Sequence, residues 1–245
     1  TANWNPTLTR QQGAGMRSVI GLLDFSVAGD ADIRSKVIYN GSKSTYSDGH
    51  GAGVASLMVA SHDGRGIMGI APNARLAAYN PFDAKGDADW GDIAKGIQDV
   101  TSRGASVVNL SLGAPGYTLH PDWSRAFKSS AVDLVKGQTT YVIAAGNDGV
   151  TQTEHVDWKD LFPTAFIVVG SVDPSGNISE FSNRPGSVCL TDDKVCKNSV
   201  KLDESGLLAR RFIVAPGEMI LVSDDKGGVV RQSGTSLAAP LVTGA

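Results

Sequence analysis

Apolar residues fall in short continuous runs along this chain, rather than alternating with polar residues. Such runs are typical of strands that are buried on both faces of a parallel sheet. Segments with helical spacing lie between them, and strands and helices alternate at intervals of about 30 residues. The strands predicted in this way are 18–23, 75–79, 106–113, 140–147 and 165–170.

This alternation predicts βαβ units on one sheet. The fold class is therefore α/β, with a mostly parallel central sheet between two helical layers. After about residue 176 the pattern changes to short β segments and loops, including 211–217 and 219–222. Since no linker, repeat or low-complexity stretch divides the chain, we expect residues 1–245 to form a single domain.

Composition narrows the classes of partner. The chain has 22 Lys and Arg against 25 Asp and Glu, and it has no basic run of the kind that binds nucleic acid. Its longest apolar stretches are too short to cross a bilayer, so we expect no membrane insertion of this segment. The first residues also lack the basic and apolar regions of a signal peptide, as in a mature or trimmed chain.

The two cysteines, Cys189 and Cys196, lie close together in a polar segment. Two thiols in one short loop indicate a disulfide and an oxidising compartment. The alternative is a pair of free thiols in a cytosolic protein. The four histidines have no ligand spacing with the cysteines, which argues against a zinc site.

The last residues of the chain contain a candidate nucleophile. Gly234 and Thr235 suit a tight turn, and a proline at position 240 restricts the helix start to the residues shortly before it. We therefore expect a helix that begins near Ser236. Its Oγ would lie at the positive end of the helix dipole, beside free N–H groups. The alternative is a serine that only caps a buried helix.

Three other polar residues follow predicted strands or begin a predicted helix. Asp24 and Asn147 come at strand ends, and His50 opens a helix of small residues. Asp24, His50 and Ser236 then follow the order acid, base, nucleophile along the chain, which is one of the chain orders known for serine hydrolases. Taken singly, Asp24 could cap a loop, His50 could be a polar residue at a helix start, and Asn147 could form a turn.

Five segments together resemble the subtilases, the serine peptidases of the subtilisin type. The similarity runs in order from about Gly15 to Ala245. A narrower similarity to subtilases of Gram-negative secreted or autotransporter passengers rests on 181–184, the cysteine loop and 215–217. The five segments are 48–51, 111–113, 144–147, 214–217 and 234–240.

The resemblance implies a subtilisin-like fold and a serine endopeptidase that acts through an acyl-enzyme. Ser236 would attack the peptide carbonyl, His50 would accept its proton, and Asp24 would orient His50. Asn147 and the Ser236 N–H would stabilise the oxyanion. The pocket floor would lie within 158–165. The sequence does not fix the register of that segment, so it does not predict which substrate residue is preferred before the scissile bond.

Two further segments would bind the substrate backbone and line its pocket. They are adjacent to the candidate catalytic groups in the sequence. Their residues are Ser111, Leu112 and Gly113 on one side, and Ala144, Ala145 and Gly146 on the other.

The sequence departs from the family pattern at two places. The acid motif reads Asp24-Phe25-Ser26, so a hydroxyl donor to the carboxylate is lost or is moved to Ser26. The histidine motif reads Gly51-Ala52-Gly53, without the usual second histidine. Two alternatives therefore stay open: a catalytically silent subtilase domain that binds peptides, and a transpeptidase that passes the acyl group to an amine.

The resemblance also bears on cofactors, location and chain length. No cofactor is expected for catalysis, although Asp32 and Asp63 make a structural calcium ion an open alternative. A subtilase of this kind is expected to be secreted or at the cell surface. The helix after Ser236 stops at Ala245 with no glycine or asparagine past its end and no cation in its last turn. We therefore expect a C-terminal remainder of the same polypeptide.

Overall fold

The computed structural model describes residues 5–11, 13–27, 30–129, 139–157, 165–190 and 206–245. The helices in this part of the chain are α1 (Pro6–Gln11), α2 (Ala31–Arg34), α3 (His50–Val59), α4 (Trp90–Thr101), α5 (Trp123–Ser129) and α6 (Thr235–Gly244). The strands are β1 (Val19–Leu23), β2 (Val37–Ser42), β3 (Arg75–Asn80), β4 (Val107–Leu110), β5 (Thr140–Ala144), β6 (Phe166–Val172), β7 (Phe212–Pro216), β8 (Ile220–Ser223) and β9 (Val229–Gln232). A short 3-10 helix, Leu208–Arg211, precedes β7.

Seven strands form one sheet in the order β2-β3-β1-β4-β5-β6-β7, and every pair in it is parallel. Strands β8 and β9 form a separate antiparallel hairpin. The register places Leu23 beside Tyr79 and Leu110. Asp24 and Ser111, the residues that follow Leu23 and Leu110, therefore lie at the same edge of the sheet.

The sheet has apolar cores on both of its faces, which confirms the predicted three-layer arrangement. Helices α4 and α5 pack on one face through residues such as Ile97 and Phe127. Helix α3 packs on the other face, and Leu237 of α6 belongs to the same core. Successive residues of β1 contribute to opposite cores: Leu22 to the α3 side and Leu23 to the α4 side. A strand covered on both faces must be apolar throughout, and all of β1 is buried.

Strand β2 is an element that the apolar pattern did not predict. It lies at the edge of the sheet, next to β3 only, and its side chains alternate between half-buried and exposed. An edge strand with one covered face has no continuous apolar run, which is why the pattern missed it. Strand β7, by contrast, came from the segment predicted as short β structure and completes the opposite edge.

Candidate active site

Asp24 follows directly after β1 and is almost fully buried, with 1% of its side chain exposed. Its Oδ1 accepts hydrogen bonds from the backbone N–H of Phe25 and from Nδ1 of His50, both at 2.7 Å. Its Oδ2 is also buried, and in the described part of the chain it has no hydrogen-bond partner. The hydroxyl donor of the family pattern is thus not replaced by Ser26.

His50 is the first residue of α3, and 27% of its side chain is exposed. The residue before it, Gly49, has φ of 88°, a left-handed conformation that glycine adopts without strain. The negative charge of Asp24 dominates the electrostatics of the ring. With the hydrogen bond it raises the pKa of His50 from 6.5 to about 9, against the lowering effect of burial.

The chain after Asp24 is held closely against the start of α3. A Cβ atom at Gly51 would lie 2.1 Å from the carbonyl oxygen of Phe25, so no larger residue fits without movement. The Phe25 ring stacks on Phe82 at 4.2 Å between centroids and meets His50 edge-on at 6.4 Å. This contact explains why glycine is needed at position 51, and it fixes the strand end that carries the acid.

Ser236 lies in the first turn of α6, one residue after the helix begins at Thr235. Pro240 has no N–H, so the carbonyl of Ser236, four residues earlier, lacks the usual helical partner. The Ser111 hydroxyl donates to that carbonyl at 2.8 Å, and the Ser236 hydroxyl donates to the Ser111 carbonyl at 3.4 Å. Within the described residues, no hydrogen bond joins Ser236 to His50.

The Ser111 hydroxyl also receives a hydrogen bond, from the amide of Asn109 at 2.9 Å. The side-chain oxygen Oδ1 of Asn109 accepts in turn from the Thr243 hydroxyl of α6 at 2.9 Å. All three of these side chains are buried. They form a polar network that connects the end of β4 to the helix that carries Ser236.

Asn147 follows β5 and is held by Thr235. Its Oδ1 accepts from the Thr235 backbone N–H at 2.8 Å and from the Thr235 hydroxyl at 3.0 Å. The same hydroxyl accepts from the N–H of Gly146 at 3.0 Å. Since Oδ1 is fully used, the Nδ2 donor of Asn147 is left without a protein acceptor among the described residues. Thr235 was not singled out from the sequence.

A cavity of about 240 Å³ brings Ser236 and Asn147 together with most of the expected substrate residues. Leu112, Gly113, Ala144 and Gly146 line it, as predicted. Ala145 does not line it and packs in the core on the α4 side instead. Ser111 is also absent from the lining, because its side chain turns to α6.

Several of the cavity's lining residues were not found from the sequence, and three of these have aromatic rings. Tyr117, His120 and Trp123 form its far wall. The sequence signal was weak, because none of the family-like segments includes these three residues. Of the expected pocket floor, residues 158–164 lie outside the described residues.

The structure describes both acids of the expected calcium site but only one cysteine of the expected disulfide. The described residues contain no group of three or more His, Cys, Asp or Glu side chains that could hold a metal ion. Asp32 has a raised pKa, chiefly because burial disfavours its charged form, with Asp63 also contributing. Cys189 is buried, but its expected partner, Cys196, lies outside the described residues.

The subtilase family matches residues 23–245, which is most of the chain and includes every candidate site residue. The chain belongs to the subtilase family. Subtilisin DY of Bacillus licheniformis is 28% identical over 91% of this chain and 69% of its own length. The major intracellular serine protease of Bacillus subtilis is 32% identical over 81% of this chain and 54% of its own length.

Solved structures agree with the family. The prenylagaramide maturation protease PagA has a TM-score of 0.69 and 25% identity, covering 98% of this chain and 78% of its own. The patellamide maturation protease PatA has a TM-score of 0.64 and 27% identity, covering 94% and 76%. Together, the family and these relatives confirm the subtilisin-like fold and identify the chain as a serine endopeptidase.

Proposed function

We propose that Asp24, His50 and Ser236 are the catalytic triad of this endopeptidase. His50 takes the proton of the Ser236 hydroxyl as its oxygen bonds to the peptide carbonyl carbon, and it then gives that proton to the departing amine. Water, deprotonated by the same imidazole, hydrolyses the acyl-enzyme. The observation that carries the proposal is the buried 2.7 Å bond between Asp24 and His50, on a helix that packs against α6.

The Asp24 bond also sets the tautomer of His50. A carboxylate oxygen accepts, so Nδ1 carries the proton and Nε2 of neutral His50 is the free base. The absent hydrogen bond between His50 and Ser236 does not oppose this role, because catalytic hydrogen bonds are often long or misaligned without substrate. A rotation about χ1 of Ser236 would release its weak 3.4 Å bond to the Ser111 carbonyl.

Asn147 is proposed as the side-chain donor to the oxyanion, with the backbone N–H of Ser236 as the second donor. Thr235 occupies Oδ1 of Asn147 and thereby leaves Nδ2 for the substrate. The Ser236 N–H lies at the start of α6, where backbone donors have no helical acceptor. Both donors belong to residues that line the same cavity, as an oxyanion site requires.

Substrate is proposed to bind beyond the ends of β4 and β5. Leu112 and Gly113 continue past the last paired residue of β4, so their backbone is available to an extended peptide. Ala144 and Gly146 form the opposite wall. Ser111 has a different proposed role, since it connects β4 to the helix of the nucleophile.

A catalytically silent, peptide-binding domain is the second candidate, and one observation favours it. The Ser236 hydroxyl is bonded to the Ser111 carbonyl rather than to His50. Labelling with a fluorophosphonate serine probe separates the two candidates, because only an activated Ser236 reacts. Products whose mass includes an added amine would instead indicate a transpeptidase.

Peptide hydrolysis by Ser236→Ala, His50→Ala and the double variant tests the triad. Each single change should lower kcat by several orders of magnitude, and Ser236→Ala should change the melting temperature little. Because triad members act as a unit, the double variant should be scarcely slower than either single one. Losses that multiply in the double variant would refute the assignment.

Location and covalent state are also proposed. We propose a secreted or surface-exposed protein with a bridge between Cys189 and Cys196. The relatives do not decide the location, since some are subtilisins and others are named as intracellular proteases. If the bridge exists, alkylation of the unfolded, unreduced protein should label neither cysteine; two labels would refute the bridge and weaken the secreted assignment.

The remaining expectations are kept as proposals. The subtilase family needs no cofactor for catalysis, and a structural calcium ion stays a prediction that melting with and without calcium would test. Residues 1–245 are proposed to form a single domain. Subtilisin DY and the major intracellular serine protease both come from Bacillus, so the narrower similarity to Gram-negative subtilases is also still a prediction. No helix in the described ranges has the length and apolar character to cross a membrane.

A further inference from the structure

The far wall of the cavity contains polar groups that the proposed mechanism does not use. Tyr117, Thr118, His120 and Trp123 lie there, in the same cavity as Ser236. The cavity of about 240 Å³ equals roughly eight times the volume per molecule in liquid water. It is therefore large enough for one substrate side chain.

Aromatic rings surround His120. Its imidazole stacks on Trp90 with 5.2 Å between centroids and 21° between planes. It meets Tyr117 edge-on at 4.5 Å, and Trp90 packs in turn against Trp123 at 5.3 Å. The ring of His120 is thus fixed in position, and the wall favours a flat aromatic substrate side chain, which gains from stacked or edge-on contacts.

The protonation pattern of neutral His120 follows from its backbone contact. The Asp122 N–H donates to Nδ1 of His120 at 3.1 Å, so Nδ1 is the acceptor and Nε2 carries the proton. Nε2 makes no hydrogen bond to any residue that the structure describes. An N–H donor on a cavity wall without a protein acceptor is available to a ligand.

The neighbouring polar groups of this wall are already engaged. The Thr118 hydroxyl donates to the Arg184 carbonyl at 2.8 Å, and the Tyr117 hydroxyl is hydrogen-bonded to Glu154. A carboxylate oxygen of Asp148 accepts from the Gly116 N–H at 2.9 Å. Among Tyr117, Thr118 and His120, His120 is therefore the residue whose side chain still has a donor for a polar atom of the substrate.

We infer that His120 is a specificity-determining residue that selects a tyrosine side chain of the substrate. The tyrosine ring would contact the aromatic wall, and its hydroxyl oxygen would accept from Nε2 of His120. The Asp122 carboxylate, 4.0 Å from Nδ1, and the Asp148 carboxylate disfavour an acidic side chain here. The inference rests on the proposed function, since it assumes that Ser236 cleaves the bound peptide.

Fluorogenic peptides test this inference. Each of the four positions before the scissile bond is varied among Tyr, Phe, Leu and Glu in an alanine background. At one position the wild-type enzyme should prefer Tyr over Phe by about 2- to 10-fold in kcat/KM, the value of one neutral hydrogen bond. His120→Phe keeps the ring and should bring that ratio close to one, whereas His120→Gln keeps an N–H and should retain part of it.

Equal rates for Tyr and Phe at all four positions would overturn the inference, as would an unchanged ratio in His120→Phe. A uniform loss on every peptide, or a fall in melting temperature that explains it, would show that His120 is only structural. A different result would refute the proposed function: a wild-type enzyme that does not cleave peptides and whose Ser236 does not react with the fluorophosphonate. Where cleavage is slow, protection of Ser236 from that probe by the Tyr and Phe peptides gives the same comparison.

Discussion

Replacing Asp24 by Asn tests the electrostatic coupling on which the proposed mechanism depends. The substitution keeps the shape of the side chain and removes its charge, which is the largest cause of the raised pKa of His50. A shift from 6.5 to about 9 corresponds to about 3 kcal/mol of preference for the protonated ring. The pKa of His50 in Asp24→Asn should therefore fall back toward 6.5.

Two measurements follow this change. NMR titration of the His50 ring protons should show the lower pKa directly in Asp24→Asn. In the wild type, kcat/KM should rise about tenfold per pH unit through neutrality and level off near pH 9, because only neutral His50 acts as a base. The maximal rate of Asp24→Asn should be lower by about 10⁴, the loss found when an Asn replaces the acid of such a triad.

Asp48→Asn is the matched control. The Asp48 carboxylate lies near the same ring, accepts from the His50 backbone N–H at 2.9 Å, and contributes less to the pKa of His50. Removal of its charge should move the titration only slightly. Equal shifts in the two variants, or a wild-type limb near 6.5, would show that Asp24 does not dominate the charge of His50.

The same pKa links stability to pH. A histidine whose folded pKa is raised stabilises the folded state fully below its unfolded value, 6.5, and this contribution is lost as pH rises through about 9. The free energy of unfolding of the wild type should therefore exceed that of Asp24→Asn most at pH 6. Denaturant titrations should show this difference shrinking between pH 6.5 and 9, and a constant difference would contradict the linkage.

Three further substitutions test the geometry around the site. Gly51→Ala should lower both activity and melting temperature, because its Cβ would lie 2.1 Å from a carbonyl oxygen; Gly53→Ala, whose Cβ would first meet Cγ2 of Val222 at 3.1 Å, should cost less. Thr235→Val should lower kcat while KM changes little, since it frees Asn147 to rotate; Thr235→Ser should restore the rate. Removal of the side-chain oxyanion donor of subtilisin costs about 10²–10³ in kcat, so a larger effect here would indicate misfolding. Thr243→Val should destabilise the fold by about 1–3 kcal/mol in denaturant titrations, as expected when a buried hydrogen bond loses one partner.

The sequence predicted the central strands and the candidate chemistry well, for a physical reason. Strands covered on both faces must be apolar throughout, so β1 and β5 stand out in the hydrophobic pattern. Asp24 and Asn147 stand out next, because they interrupt that pattern where the strands end. Motif order then connected them with His50 and Ser236.

Other parts of the site could not be found in this way. Thr235 acts through a hydroxyl that reaches Asn147 from another element, and no local pattern marks such a contact. His120 lies before α5, and part of its aromatic surroundings comes from Trp90, the first residue of α4. The side chains of Ser111 and Ala145 point away from the cavity, and strand periodicity does not say which way a residue turns after the ladder ends.

The arrangement of the sheet has a consequence for how the enzyme is made. Asp24 follows an early strand, whereas Ser236 lies on α6, a late element that packs against β4, β5, β6 and β7. A chain that has been synthesised only in part can hold the acid and the base, but it has no nucleophile. Hydrolytic activity therefore cannot precede completion of the sheet on which α6 rests. An unfinished copy of the enzyme is therefore inactive as a protease because its proposed nucleophile is translated late.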